Sequence, residues 1–184
     1  MLSAIMTFPD VTFRTPRLTA AALSSTSSPH VLSAVSTQLA SILTTDVTRH
    51  LPPDIQTVCD TESAAKWLLS TVAECQFVTV SLADDDALAG FFLLYPEIDA
   101  HESDGYLLRL GYVVAERYQG QGLASEMIAG LVAWSRSSGV VKALSGGASA
   151  ENVPSIKVLE KNGFVRDEND ENHQGNTVFL TITF

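Results

Sequence analysis

Basic residues are scarce in this chain: 11 Lys and Arg stand against 21 Asp and Glu, a formal net charge of −10. That balance argues against the basic surface a non-specific nucleic-acid binder needs to displace counterions from phosphates; a cationic partner is electrostatically easier, but the same charge more simply marks a soluble acidic protein. Cysteine is nearly absent. Cys59 and Cys75 have neither close spacing nor histidine neighbours, which rules out a zinc site and the disulfide framework of a small secreted domain. Both are expected to be buried free thiols. Nowhere do about 18 apolar residues run together, so no membrane span is expected. Met1 to Asp10 lacks the basic and apolar regions of a secretion signal, and a cytoplasmic protein is expected. The four histidines, His30, His50, His101 and His173, show no metal-ligand spacing. Asp84-Asp85-Asp86 reads as a solvated turn, and no metal site is expected.

What the chain does have is apolar material, 46% of 184 residues, enough for one core at a length typical of one domain. A single domain over residues 1–184 is expected, with residues 1–10 as a flexible N-terminal lead-in. Val11 to Leu18 alternates and contains Pro16, the mark of an edge strand. A weakly amphipathic helix is expected from Val31 to Leu43. Past the Pro52-Pro53 break, a second spans Glu62 to Cys75, capped by Asp60 or Thr61. Phe77 to Leu82 and Leu88 to Tyr95 read as a hairpin across the three aspartates, and Tyr106 to Val114 as a further strand. Leu123, Met127, Leu131 and Trp134 recur at helical spacing before Gly139, a C-terminal cap. Val140 to Leu144, Phe164 to Arg166 and Val178 to Phe184 complete the strands, with a helix from Asn152 to Lys161 between the first two. The pattern implies an α+β domain around a mixed, largely antiparallel sheet.

The chemistry concentrates in Val113-Val114-Ala115-Glu116-Arg117-Tyr118-Gln119-Gly120-Gln121-Gly122-Leu123-Ala124, which joins a strand to a helix. Gly120 and Gly122 let the backbone approach a ligand closely. A helix beginning beside them leaves free amide donors and a positive dipole end, an anion site to which Arg117 adds charge. A pyrophosphate suits it. Turn glycines alone serve equally well in proteins that bind nothing. A dinucleotide fingerprint requires a third glycine where Ser125 stands and an acidic residue where Leu144-Ser145-Gly146 stands, and a P-loop requires Gly-Lys-Ser or Gly-Lys-Thr; neither is present.

Arg117-x-x-Gly120-x-Gly122, followed about thirty residues later by Asn152-x-x-Ser155-x-x-x-Leu159-Glu160-Lys161-x-Gly163-Phe164, resembles the GNAT superfamily of N-acetyltransferases. The opening Phe13-Arg14-Thr15-Pro16-Arg17-Leu18 is similar to the branch containing ribosomal-protein alanine and spermidine acetyltransferases. The likeness runs from Phe13 to the C-terminus. It implies a GNAT-like three-layer α/β/α fold whose splayed parallel strands, here Leu108 to Val114 and Val140 to Leu144, bind acyl-CoA. It further implies that the loop amides of Gln119, Gly120, Gln121, Gly122, Leu123 and Ala124, with Arg117, hold the CoA pyrophosphate, and that open strand amides near Val113 and Val114 serve the pantetheine and the developing oxyanion.

The implied reaction moves acetyl from acetyl-CoA to a primary amine, of a protein N-terminus or a small molecule, by direct attack in a ternary complex, in a monomer or homodimer. The family's usual proton donor to the thiolate is a tyrosine; Leu159 occupies its position. The related branch places a serine where Ser155 stands and a pantetheine contact at Asn152. From the residues alone, Asn152 reads equally as a helix N-cap and Ser155 as a first-turn residue. Relatives often carry a glutamate base where Arg109 stands, leaving Glu97, Glu102 or Asp104 acting through water, or an amine that arrives neutral. The acidic loop from Asp167 to Asn176, with Glu168 and Glu171, borders the acceptor entrance in relatives or is a solvated hairpin. Arg109 and Leu159 also admit a second function, a non-catalytic acyl-CoA-binding or sensing module on the same fold.

Overall fold

The computed structural model describes residues 8–24, 26–49, 51–98, 105–166 and 176–184. The chain enters at the sheet edge with β1 (Thr12–Arg14), and turns back into β2 (Leu18–Leu23). The single edge strand expected from Val11 to Leu18 is therefore two strands. The Thr15 amide donates to the Leu18 carbonyl at 2.9 Å and the Leu18 amide to Thr15 Oγ1 at 3.1 Å, closing a four-residue turn with Pro16 in the position its fixed φ favours. Helix α1 (Pro29–Ile42) follows, then a short α2 (Thr45–Thr48) capped by Thr44, which hydrophobic periodicity is too brief to reveal. Helix α3 (Thr61–Glu74) starts at Asp60, whose carboxylate accepts from the Ser63 amide at 2.7 Å while Ser63 Oγ accepts from the Asp60 amide at 3.0 Å. This reciprocal box selects Asp60 over Thr61 as the cap.

Strands β3 (Gln76–Leu82), β4 (Leu88–Ile98) and β5 (Tyr106–Val114) form a meander. Helix α4 (Leu123–Ser138) runs between Gly122 and Gly139, both with positive φ. It leads to β6 (Val141–Ser149), α5 (Val153–Lys161), the two-residue β7 (Val165–Arg166) and β8 (Thr177–Thr183). The sheet order is β1-β2-β3-β4-β5-β6-β8-β7, antiparallel except for the β5–β6 pair. Strand β6 runs five residues beyond the expected end at Leu144. Glycines 146 and 147 conceal it in sequence, yet it pairs with β8 as far as Ser149↔Thr177, and a Cβ on Gly147 would lie 2.9 Å from the Phe179 ring. Close cross-strand packing thus demands glycine where strand propensity is low.

Two hydrophobic clusters cover the two faces of the sheet. On one, Leu123, Met127, Ile128 and Leu131 of α4 and Ile156 and Leu159 of α5 pack on Leu108, Leu110, Leu144 and Leu180. On the other, Leu39 and Ile42 of α1 and Ala64, Trp67 and Leu68 of α3 pack on Phe77, Phe91 and Val113. This is the three-layer α/β/α arrangement. Phe8 packs edge-on against Tyr106, with ring centroids 5.1 Å apart, so the N-terminal lead-in is anchored from that residue; residues 1–7 lie outside the described set. Both cysteines are free, but only Cys75 is buried; Cys59 lies exposed ahead of the α3 cap. Among the described residues, no helix is long and apolar enough to cross a membrane, and no group of His, Cys, Asp and Glu could hold a metal.

Candidate functional site

The site is built by a failure of pairing. β5 and β6 pair in parallel from Tyr106↔Val141 to Leu110↔Gly146. Beyond that, β5 stays with β4 up to Gly90↔Val114 and β6 stays with β8 up to Ser149. A V-shaped gap opens between them. The Tyr106 amide donates to the Val140 carbonyl and the Ala115 amide to the Ala89 carbonyl. Even-numbered β5 residues thus turn their backbone toward β6, and odd-numbered ones toward β4. The Val113 carbonyl agrees, since it would meet a Cβ on Gly90 at 2.1 Å. The open backbone edge therefore belongs to Tyr112 and Val114. The Val113 amide, expected beside Val114's in the gap, faces β4; Val113 contributes its side chain to the cavity walls instead.

Two cavities meet at this gap. The larger, about 700 Å³, is lined by Val113, Val114, Gln119, Gly120, Gly122, Leu123, Ala124, Asn152 and Ser155, so nine of the eleven residues singled out from sequence come together there. No side chain caps the N-terminus of α4 at Gly122, which leaves its first-turn amides free for an anion. Gly120 and Gly122, at φ 72° and 78°, carry the left-handed turns that aim them. Gln119 Nε2 donates to the Val114 carbonyl at 3.0 Å and ties the loop to the strand.

Arg117 and Gln121 lie outside this lining. The Arg117 guanidinium stacks on the Tyr118 ring, 4.8 Å from its centroid, and Gln121 Nε2 donates to the Arg117 carbonyl at 2.9 Å. The cations facing the cavity are Arg49, Lys157 and Lys161. Sequence reading missed them, although the i,i+4 spacing of the two lysines places both on one face of α5. A third brace comes from the β1–β2 turn: Arg17 Nη1 donates to the Gln121 carbonyl at 3.0 Å, and Arg17 Nε donates to Glu126 at 2.6 Å. Burial pushes the Glu126 carboxyl up, but hydrogen bonds from Thr15 and Arg17 and the Arg17 charge outweigh it and hold it below the usual range.

The second cavity, about 600 Å³, opens from the same gap toward α3 and is walled by Trp67, Phe91, Tyr95, Arg109 and Phe179. Its carboxylates are Asp54 and Glu74, neither of which sequence reading named. Asp54 Oδ2 accepts from Trp67 Nε1 at 3.1 Å. Burial, with Cys75, Glu74 and Asp54 nearby, pushes the Tyr95 phenol up to about 12. Glu97 is engaged by Arg109 at 2.8 Å and does not line the cavity. Glu102, Asp104, His50, His101, His173 and the Asp167, Glu168 and Glu171 loop lie outside the described residues.

Five residues line both cavities: Leu51, Tyr112, Val113, Asn152 and Ser155. Asn152 caps α5, its Oδ1 accepting from the Ser155 amide at 3.3 Å. The Ser155 hydroxyl meets the Tyr112 hydroxyl at 2.9 Å. Burial raises the Tyr112 phenol, and the Ser155 contact draws it partly back. Leu159 is buried at the apex of the V, where its Cδ1 and that of Leu110 would lie 3.2 and 3.5 Å from a Cβ on Gly146.

Residues 33–165, well over half of the chain, match the family model described as an acetyltransferase (GNAT) domain. No curated protein matches the sequence significantly. Among solved structures, the chain is similar to a GNAT-family acetyltransferase from Bacillus anthracis (TM-score 0.70, 18% identity, 94% of this chain and 98% of that one). It is also similar to RimL, a ribosomal L7/L12 α-N-protein acetyltransferase in complex with coenzyme A (TM-score 0.70, 17% identity, 92% and 96%). A third is the ribosomal-protein-S5-alanine acetyltransferase from Vibrio fischeri (TM-score 0.65, 16% identity, 95% and 97%).

Proposed function

This chain belongs to the GNAT acetyltransferase family, and from that premise we propose that it moves the acetyl group of acetyl-CoA to the primary amine of a cationic acceptor, by direct attack while both substrates are bound. The observation that carries the reading is the meeting of two chemically unlike cavities at one break in the sheet. The larger suits the donor: free α4 amides and left-handed glycines for the diphosphate, Lys157, Lys161 and Arg49 for further phosphate charge, and the gap for the pantetheine. The open amides of Tyr112 and Val114 supply strand-like partners to the pantetheine and a donor to the thioester oxygen as it gains charge. The smaller cavity suits the acceptor, since Asp54 and Glu74 attract a cation and Trp67 and Phe91 give its carbon skeleton an apolar wall.

In this reading Asn152 holds the start of α5 and Ser155 presents its hydroxyl to the thiol. Arg109, drawn toward Glu97, removes the usual glutamate base, so the amine loses its proton to water in the acceptor cavity. Arg109 and Leu159 equally motivate the sensing alternative, and turnover separates the two. Purified protein with acetyl-CoA and a panel of diamines, amino sugars and peptides should release free thiol only when an amine is present. Asp54→Asn with Glu74→Gln should raise the acceptor KM while leaving the acetyl-CoA KM in place. Binding of acetyl-CoA with no thiol release across the panel would make this a sensor.

A further inference from the structure

We propose that Tyr112 serves as the proton reservoir for the departing thiolate, acting through Ser155, so that a phenol carried on β5 backs a hydroxyl carried on α5. The proposal rests on the acetyl-transfer reading and goes beyond it in assigning a positioning residue that sequence reading did not single out. Three observations carry it. Of the five residues shared by donor and acceptor cavities, only Tyr112 and Ser155 bear a hydroxyl. Their hydroxyls are 2.9 Å apart, joining β5 to α5 across the gap in which the thioester must lie. At the apex of the gap α5 presents Leu159, packed against Leu110 and Gly146, which has no proton to give.

Acidity explains why the pair is needed. A serine hydroxyl is a far weaker acid than a thiol, and a phenol, even one raised by burial, stands between the two in acidity. Burial keeps the Tyr112 phenol protonated throughout the neutral range. The amine, having first lost its ammonium proton to water, forms the C–N bond through its lone pair and then sheds a second proton to water. When the C–S bond breaks, its electron pair goes to sulfur; Ser155 gives its hydroxyl proton to that sulfur and takes the phenol proton of Tyr112. Water then reprotonates Tyr112.

Tyr112→Phe keeps the ring and removes only the hydroxyl. With the full-length protein, acetyl-CoA and the best amine of the panel, kcat should fall about 100-fold, within the range of general acid catalysis. The acetyl-CoA KM and the thermal shift induced by CoA should stay as in the parent, which also reports that the variant folds. Ser155→Ala reads the same pair from the other side, and because the two act as one unit the double variant should lose no more than either single one. Turnover by the parent with unchanged kcat in Tyr112→Phe, a rise in KM in place of the kcat loss, or single losses that multiply in the double variant would overturn the proposal alone. A parent that releases no thiol with any amine would overturn the acetyl-transfer reading itself, and the proposal with it.

Discussion

Replacing Gly120 with valine tests the donor site with an internal control. At φ 72°, Gly120 holds a left-handed turn, and a Cβ placed on it meets no atom within 4 Å. An added Cβ therefore meets no clash, and the expected internal penalty is backbone strain of roughly 1–2 kcal/mol. For a domain of this size that lowers Tm by about 2–8 °C. Gly139, at φ 69° at the other end of α4, also has open space around a built Cβ and lies outside both cavities. Gly139→Val should lower Tm similarly. The two variants part company when CoA is added. At a concentration near 100 Kd, a ligand that binds only the native state stabilises it by about 2.7 kcal/mol, or roughly 5–11 °C on the same scale. If valine at residue 120 fills space needed by the diphosphate and raises Kd a further 100-fold, the stabilisation falls to about 0.4 kcal/mol, roughly 1 °C. Differential scanning fluorimetry with and without CoA measures both quantities. A full CoA shift in Gly120→Val, or a lost one in Gly139→Val, would refute the assignment of the loop.

Two further expectations follow from charges beside that loop. Glu126 gathers Thr15 Oγ1, the Arg17 amide and Arg17 Nε at 2.6–2.9 Å, so Glu126→Ala should destabilise the fold by about 2 kcal/mol at pH 7, the scale of hydrogen bonds to a charged group. Because its folded pKa is lowered, that contribution is present above the ordinary carboxylate value of 4.5 and disappears as pH falls through the folded value; urea midpoints between pH 3 and 7 should show a shallower acid limb in Glu126→Gln. Lys157→Ala and Lys161→Ala should each raise the acetyl-CoA KM about fivefold, on the order of 1 kcal/mol per exposed charge, with a loss that shrinks at high salt because these charges are screened; an effect independent of ionic strength would show that they do not face phosphate.

Elements specified by local signals were legible in the sequence. β5 spans Tyr106–Val114 as its composition indicates, and α4 ends where Gly139 takes a positive φ. The start of α3 was legible to within a residue, the structure choosing Asp60 over Thr61 as its cap, and Pro154 marks the first turn of α5. Elements that depend on distant partners were hidden. β6 continues through Gly146 and Gly147 because β8, more than thirty residues later, pairs with it, and no window of local propensity contains that fact. The site divided along the same line. The glycine loop was visible because glycines and a helix start are local, whereas the carboxylates of the smaller cavity arise from the segment after Pro53 and from the end of α3. Tyr112 looked like an ordinary strand aromatic. Only the fold brings Ser155, 43 residues onward, to its hydroxyl.

The break between β5 and β6 also favours a chain of amides over a compact anion alone as the occupant of the larger cavity. Pairing ends at Leu110 and Gly146 because both strands retain better partners on their outer sides, β4 through Gly90↔Val114 and β8 through Ser149↔Thr177. Leu159 and Leu110 wedge against Gly146 at the apex. Tyr112 and Val114 are left with backbone groups turned into the gap, and Gln119 satisfies only the Val114 carbonyl. Strand groups without partners are stabilised by any ligand that completes their pairing, each bond contributing about 1 kcal/mol net. A diphosphate alone would occupy the start of α4 and leave that edge bare. In the proposed acetyl transfer a pantetheine, its amides running along the gap as a strand would, reaches both, and its length would carry the thioester from the anion site at Gly120 and Gly122 to the paired hydroxyls of Tyr112 and Ser155.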